Sequence, residues 1–467
     1  MIDPDDHYVP GDTPFYRRRF RCRKTADPHS GGRLCPPAAR PVREAPRIIL
    51  AFVLLGVAAL DLGYCVPVVA ARRLSLSQAE ALAVRANPAL KGLRQAAVNL
   101  HHEAVAVGQL PDPRLSLGAQ NMPLNNFAMS QQQMSVVQFG VSQAFPPWGE
   151  LAARRRKAAF TTRAAIENDY ERRAEIVFLL RQAWFAALYA HKAVMAIARE
   201  ETLARETLAA ARARYRAGRA SLADVLRAEL AVDALRNRAD RVHATGAAAR
   251  ARIAQILACP RPPTLATQWP ALPAAGPAIA IGRMVRQPLL LAARDEWRAA
   301  RAGVGIAKSA YWPAITVKAA YGKDFFPGSP NWLSVGLSFS LPIFPAERQD
   351  QRLDAARARS LEARYRYEDQ SLALRRRLRS AESLHAALKR ELARTQGALL
   401  PTARAAFSAA LDSYAAGRLG MTAPLAAQGR VLKYALLRLN ERKDLETVAA
   451  EIDWLTTQRS GGYGNGQ

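Results

Sequence analysis

The chain is short of cysteine, of aromatic residues and of acid. It has 4 cysteines in 467 residues, and Cys22, Cys35 and Cys65 all lie in or before a leader-like region, leaving Cys259 as the only other one. An intrachain disulfide framework is excluded for a mature chain that starts after Ala71. Aromatics make up 7% of the residues while Ala and Arg abound. That balance favours long helices packed through small side chains over a thick aromatic core. Acidic side chains number 39 against 67 Lys and Arg, for a net charge of +28. The arginines are spread along Ala-rich stretches and do not cluster with aromatics, so solvated helix faces account for them and no nucleic-acid partner is expected.

Motifs that carry chemistry are missing as well. No Gly-rich phosphate loop precedes a helix, and there is no His-Glu-x-x-His, no paired Cys-x-x-Cys and no nucleophile elbow. An enzyme is not expected, and no cofactor or resident metal is implied. His101, His102 and Glu103 are neighbours on a helix, where successive side chains diverge by about 100° and chelate poorly. Met122, Met129 and Met134 share one loop and could suit soft Cu(I), but loop methionines are common without a metal.

Long hydrophobic runs are absent except for residues 48–60, "IILAFVLLGVAAL", which follow Arg40, Arg43 and Arg47. This is the layout of a secretory signal and is too short for a membrane-spanning helix. Export is therefore expected, with small-residue cleavage sites after Ala59 and after Ala71. The Pro- and Arg-rich stretch before Arg40 is unlike a signal, which places the expected start of translation near Val42 or Leu34. Cys65 is a candidate lipidated cysteine because Leu62 stands at the matching position, although Tyr64 fills a place normally held by a small residue. The alternative is a cysteine lost with the leader, residues 1–71.

What the sequence does contain is a duplication. "NPALKGLRQAA" from Asn87 is echoed by "QPLLLAARDEW" from Gln287, and Pro113 in "LPDPRLSLGAQ" by Pro313 in "AYWPAITVKAAY". "GVSQAFPPW" pairs with "GLSFSLPIF", and "YRAGRASLADVL" with "YAAGRLGMTAPL", in the same order. The repeats are 72–258 and 278–459, joined by a Pro-rich linker at 259–277, with a Gly-rich tail at 460–467. Each repeat reads helix, strand, strand, long helix, turn, helix. Ser77 with Glu80 forms a capping-box pattern at the first helix, which Asn87 and Pro88 interrupt. Residues 150–217 contain neither Pro nor Gly, so one helix of about 100 Å is expected. Its counterpart runs from 346 to 416, interrupted by Gly397 and Pro401, with Leu378, Ala381, His385, Leu388, Leu392 and Leu399 as a coiled-coil-like seam.

Strands are expected at 114–120, 135–145, 315–322 and 333–344. Their apolar residues fall on odd numbers: Leu115 and Leu117; Val137, Phe139 and Val141; Ile315 and Val317; Val335, Leu337, Phe339 and Leu341. Four such strands, each flanked by proline, fit a lipid-facing barrel better than a soluble sheet. Four are too few to close a barrel, and open edges are not tolerated in lipid, so three chains would pool twelve strands. Arg114 and Lys318 would make the barrel interior basic.

The duplicated layout, with "LPDPRLSLGAQ", "FGVSQAFPPWGELAARR" and the paired "YRAGRASLADVL" and "YAAGRLGMTAPL", resembles the TolC-type outer-membrane efflux proteins. "DPRLSLGAQNMPLNNF" followed by "GVSQAFP" is similar to their heavy-metal branch, the partners of copper/silver and cobalt-zinc-cadmium exporters. The likeness covers roughly residues 74–455. It implies a mostly α fold with membrane β: a long-helix periplasmic α-barrel plus four strands per protomer in a homotrimeric outer-membrane barrel. It also implies a periplasmic adaptor and an inner-membrane RND-type pump as partners, outer-membrane lipid around the strands, and heavy-metal cations as cargo, with antibiotic efflux or type I protein secretion as the alternatives. By the same likeness, Gly218, Arg219, Ala220, Ser221 and Leu222, with Gly417, Arg418, Leu419, Gly420 and Met421, are the tips where the adaptor docks; plain Gly-containing turns would also place glycine there. Asp224 and Tyr414 fall at positions of the gate latch. Ala423 and Ala426 stand where relatives carry aspartates, which argues against a carboxylate ring at the entrance. From other classes, a periplasmic adaptor would show one long hairpin instead of two, and a basic coiled-coil binder would not explain the signal, the strands or the duplication.

Overall fold

The computed structural model describes residues 73–124, 127–270 and 286–458. The signal run, both cleavage sites, Cys65, linker residues 271–277 and the 460–467 tail lie outside the described residues. The first repeat holds α1 (Leu76–Ala86), α2 (Pro88–Ala106), β1 (Arg114–Gln120), β2 (Val136–Phe145), α3 (Glu150–Arg216) and α4 (Leu222–Ile256). The second holds α5 (Pro288–Ser309), β3 (Ile315–Asp324), β4 (Trp332–Phe339), α6 (Gln351–Arg394), α7 (Leu400–Ala415) and α8 (Thr422–Thr456). A π-turn at Ala346–Asp350 precedes α6, and another at Thr395–Leu399 joins α6 to α7.

Local sequence explains most of the boundaries. Asn87 ends α1 and caps α2, its side chain accepting from Ala89 N–H at 3.0 Å, with Pro88 at the first helical position where no N–H is needed. Helix α3 runs unbroken for 67 residues, about 100 Å at 1.5 Å per residue. The first helix starts earlier than the Ser77 and Glu80 pattern predicts. Ser75 is the cap, in a capping box with Gln78, and Glu80 binds Arg181 instead. The cause is tertiary: Leu74 is held extended by backbone bonds to Thr264 and Ala266, so the chain is free to turn helical directly after it.

Two further expectations are corrected. Strand β4 ends at Phe339, so Leu341 lies beyond it, in irregular chain before Pro342. Proline has no N–H for a ladder, and it restricts the residue before it. The seam along the second long helix does not reach Leu399, which is exposed; Leu400 is buried in its place. Pro401 lacks the N–H that would bond Gly397 and crowds that carbonyl, and the π-turn relieves this by inserting an extra residue, moving the apolar stripe one position on.

The helices lie in a row that changes partners along its length. In the half next to the strands, α2, α3, α5 and α6 are neighbours in that order; in the other half α4, α3 and α8 follow one another, with α6 and α7 beyond α8. The largest core cluster surrounds Leu180, Trp184, Phe185 and Leu188 of α3, packed against α1, α4 and Ala450 of α8. Where the two halves meet, Arg181 binds Glu80 at 2.6 Å and Asp453 at 2.5 Å, tying the two repeats together. Beside it Glu171 accepts from Gln287 at 2.6 Å and from the Trp454 indole at 3.0 Å. Phe178 stacks on Trp454, with ring centroids 5.2 Å apart, and Arg377 covers the same indole at 4.5 Å. Burial holds the Glu171 carboxyl above the ordinary carboxylate range, partly offset by these two hydrogen bonds.

Candidate functional site

Two regions have the makings of a working surface. The first is the sheet, an antiparallel meander in the order β1-β2-β3-β4. Its register puts odd-numbered residues opposite odd-numbered ones throughout: Leu117 faces Phe139, Phe139 faces Tyr321, Val317 faces Leu337 and Ile315 faces Phe339. The alternation in each strand therefore adds up to one apolar face. That face is bare in the single chain, with Leu117 77% and Val335 72% exposed. The opposite face carries Ser116, Gln138, Ser142, Thr316, Lys318 and Ser338. The exceptions fall near strand ends: Gln143 reaches Pro111 O at 2.8 Å, Lys323 leans over the Phe325 ring, and Val136 and Trp332 flank Gly322. Strands β1 and β4 are the sheet's outer members, each paired on one side only.

The second region is the pair of helical hairpins. Both turns have the same geometry. Helix α3 ends with Gly218 at φ +69°, its N–H bonded to Tyr215 O at 3.0 Å and that of Arg219 to Arg214 O at 2.8 Å. Helix α7 ends with Gly417 at φ +74°, its N–H bonded to Tyr414 O at 3.0 Å and that of Arg418 to Ser413 O at 2.9 Å. This is the Schellman arrangement, and the left-handed position is why glycine recurs there. Gly218, Arg219, Ser221, Leu222, Gly417, Arg418, Leu419 and Gly420 are exposed and Ala220 is half-buried. Met421 is not a surface residue: only 1% exposed, it packs with Ala211, Val225, Ala228 and Tyr414 and joins the two hairpins.

The hairpins differ in what starts the returning helix. Ser221 and Asp224 cap α4 reciprocally, and Asp224 also binds Arg227 at 3.2 Å. The Ser221 hydroxyl, then its backbone N–H and Arg227, hold the Asp224 carboxyl below its ordinary range. The second copy has Gly420 and Ala423 at the matching positions, and α8 has no side-chain cap. Asp224 and Tyr414 are not joined within the chain. Tyr414 is gripped by Arg214, and its hydroxyl is buried with no partner. Arg214 gave no signal in the sequence, where it is one of many arginines on a long helix.

Among the described residues no group of three His, Cys, Asp or Glu side chains is placed to hold a metal ion, and no helix is long and apolar enough to cross a membrane. His101 and His102 sit edge to face on an exposed helix surface.

With this geometry in hand, the fold finds close parallels. A membrane protein from Pseudomonas aeruginosa superposes with a TM-score of 0.73 at 19% identity, covering 82% of this chain and 90% of its own. CusC gives 0.70 at 15%, covering 82% and 92%. The outer membrane protein VceC from Vibrio cholerae gives 0.68 at 18%, covering 82% and 96%. No curated protein is recognisably similar in sequence. The sequence profile of the outer membrane efflux protein family matches residues 81–258 and 284–454, one segment in each repeat. The chain belongs to the outer membrane efflux protein family.

Proposed function

We propose that three copies assemble into a channel in the bacterial outer membrane and that this channel is the passive outer conduit of a tripartite efflux system, reaching into the periplasm. The observation that carries the reading is the sheet: every strand contributes to one bare apolar face, and both outer strands have an unpaired edge. Lipid is the solvent such a face suits, and only ring closure satisfies both edges there. Trp148, Trp312 and Phe344, all largely exposed, stand at the helix-side ends of the strands, the place of interfacial anchors. The hairpin turns form the opposite end, where a periplasmic adaptor fed by an inner-membrane RND-type pump would dock. The strand motifs bring heavy-metal export by likeness, with drug efflux or protein secretion as the competing cargo. Purified mature protein is expected to be a trimer that needs detergent; a detergent-independent monomer would falsify the channel. A metal-versus-antibiotic sensitivity profile of a deletion strain tests the cargo.

A further inference from the structure

Helices α2, α3, α5 and α6 lie side by side, and all four line one cavity of about 1040 Å³ together with Ser340 and Leu341 just beyond β4. A row of four helices shares a single cavity only on its concave side. When copies of the row close into a ring, the concave side becomes the inner wall. The cavity is then one third of the tunnel wall next to the membrane.

Charge on this wall is lopsided. From the π-turn before α6 comes Arg348, and from α6 come Arg352, Arg359 and Arg366, at four- and seven-residue steps along one face, while Lys157 enters from α3. Its carboxylates are Glu150, Glu296 and Glu362. Glu150 is taken by Arg154, and Glu362 by Arg366 at 2.7 Å. Lys157, Arg348, Arg352 and Arg359 form no ion pair among the described residues, against the single unpaired carboxylate of Glu296. Small residues such as Ala299, Gly303, Ala307 and Ala356 leave the space between them open.

The same sign continues into the sheet. Arg114, Ser142, Lys318 and Gly336 stand in one row across the polar face. The only carboxylate in the four strands, Asp324, sits at the far end of β3, where it accepts the backbone N–H groups of Phe326 at 2.9 Å and Met134 at 3.2 Å. Once the proposed ring closes with its apolar strand face in lipid, two independent segments of wall, one helical and one stranded, present cations inward.

We infer that the tunnel selects for anionic solutes, the class of carboxylates, phosphates and oxyanions, over free metal cations. This rests on the channel reading, names its substrate class, and sets anions against the heavy-metal cations that the strand motifs bring by likeness. Stacked rings of unpaired cations in a narrow aqueous passage raise the local anion concentration and repel cations, and both effects fade as salt is added.

The test uses the purified full-length mature trimer in detergent at low ionic strength. The probes are pyranine, a multivalent sulfonate anion, and hexaamminecobalt(III), a cation of similar charge magnitude; both can enter through the outer mouth. Pyranine is expected to bind in a salt-sensitive way and hexaamminecobalt not to bind. Combining Arg348→Gln, Arg352→Gln and Arg359→Gln is expected to weaken pyranine about tenfold at the effective permittivity of a hydrated site. Removing equal charge outside the cavity, with Arg238→Gln, Arg241→Gln and Arg250→Gln on α4, is expected to change it little. A trimer that takes up hexaamminecobalt instead, or loses pyranine equally in both triple variants, overturns the anion inference alone. A detergent-independent monomer overturns the channel and the inference with it. The altered arginines of the π-turn and α6 are exposed and unpaired, so trimer recovery should be unaffected.

Discussion

Arg214 of the first hairpin lies over the ring of Tyr414 in the second, its guanidinium carbon 4.6 Å from the ring centre, and donates to the Tyr414 carbonyl at 3.0 Å. The two hairpin ends are thus clasped by one side chain, just above Met421, which fills the space between them. Arg214→Ala removes both contacts and is expected to cost about 1 kcal/mol. Backbone hydrogen exchange at residues 215–226 and 414–425 should quicken. Tyr414→Phe removes only a buried, unpartnered hydroxyl and should leave the melting temperature unchanged or raise it. A lower melting temperature for that variant in the assembled protein would reveal a partner supplied by another copy, as the proposed latch requires.

Arg219 and Arg418 are the exposed cations directly after the two left-handed glycines. Their backbone N–H groups, not their side chains, hold the turns together. Arg219→Glu combined with Arg418→Glu should therefore leave the trimer intact while impairing adaptor docking. Co-purification with the adaptor and resistance in the complemented strain are the readouts, and unchanged resistance counts against the tips as docking points.

Leu337 and Ser338 are adjacent in β4 and point to opposite faces of the sheet. If the odd face meets lipid, Leu337→Arg should cost about 2–4 kcal/mol of membrane folding near the bilayer midplane, while Ser338→Arg should cost little. Folding yield in lipid vesicles, read by heat-modifiable gel migration, separates the two. Equal tolerance would place both faces in water.

Glu171 should give the stability a pH dependence. With its carboxyl raised by burial, the folded chain holds the proton more tightly than the unfolded chain. Its favourable contribution is therefore complete below the ordinary Glu value of about 4.3 and declines as pH rises through the folded value. Glu171→Gln should melt above the parent at pH about 8, with the gap closing toward pH about 4.5. Thermal melts across that range check the sign, and a gap that widens toward acid pH would contradict it.

Much of this architecture is readable from residue order. The odd-number alternation, the echoed segments and the unbroken 150–217 stretch each rest on a local property, and the elements they predict match within a residue or two except at the end of β4, which stops at Phe339. The misreadings have non-local causes. The segment "LSLSQAE" offers two competing caps, and only the pairing of Leu74 with the linker decides for Ser75. The seam slips at Thr395–Leu399 because a proline perturbs the turn before it, an effect that periodicity counted at fixed steps cannot register. Arg348, Arg352 and Arg359 share a helix face by their four- and seven-residue steps, but only the packing of four helices around one cavity shows that this face lines an enclosed space and is not an ordinary solvated one.

The one-sided pairing of β1 and β4 bears on how a subunit reaches its destination. If three copies close the proposed ring, then before closure each carries bare backbone donors and acceptors along both flanks, which a bilayer does not tolerate. Arrival and assembly should then be a single concerted event whose yield climbs steeply with subunit concentration, and a solitary copy is the form most open to strand addition by strangers.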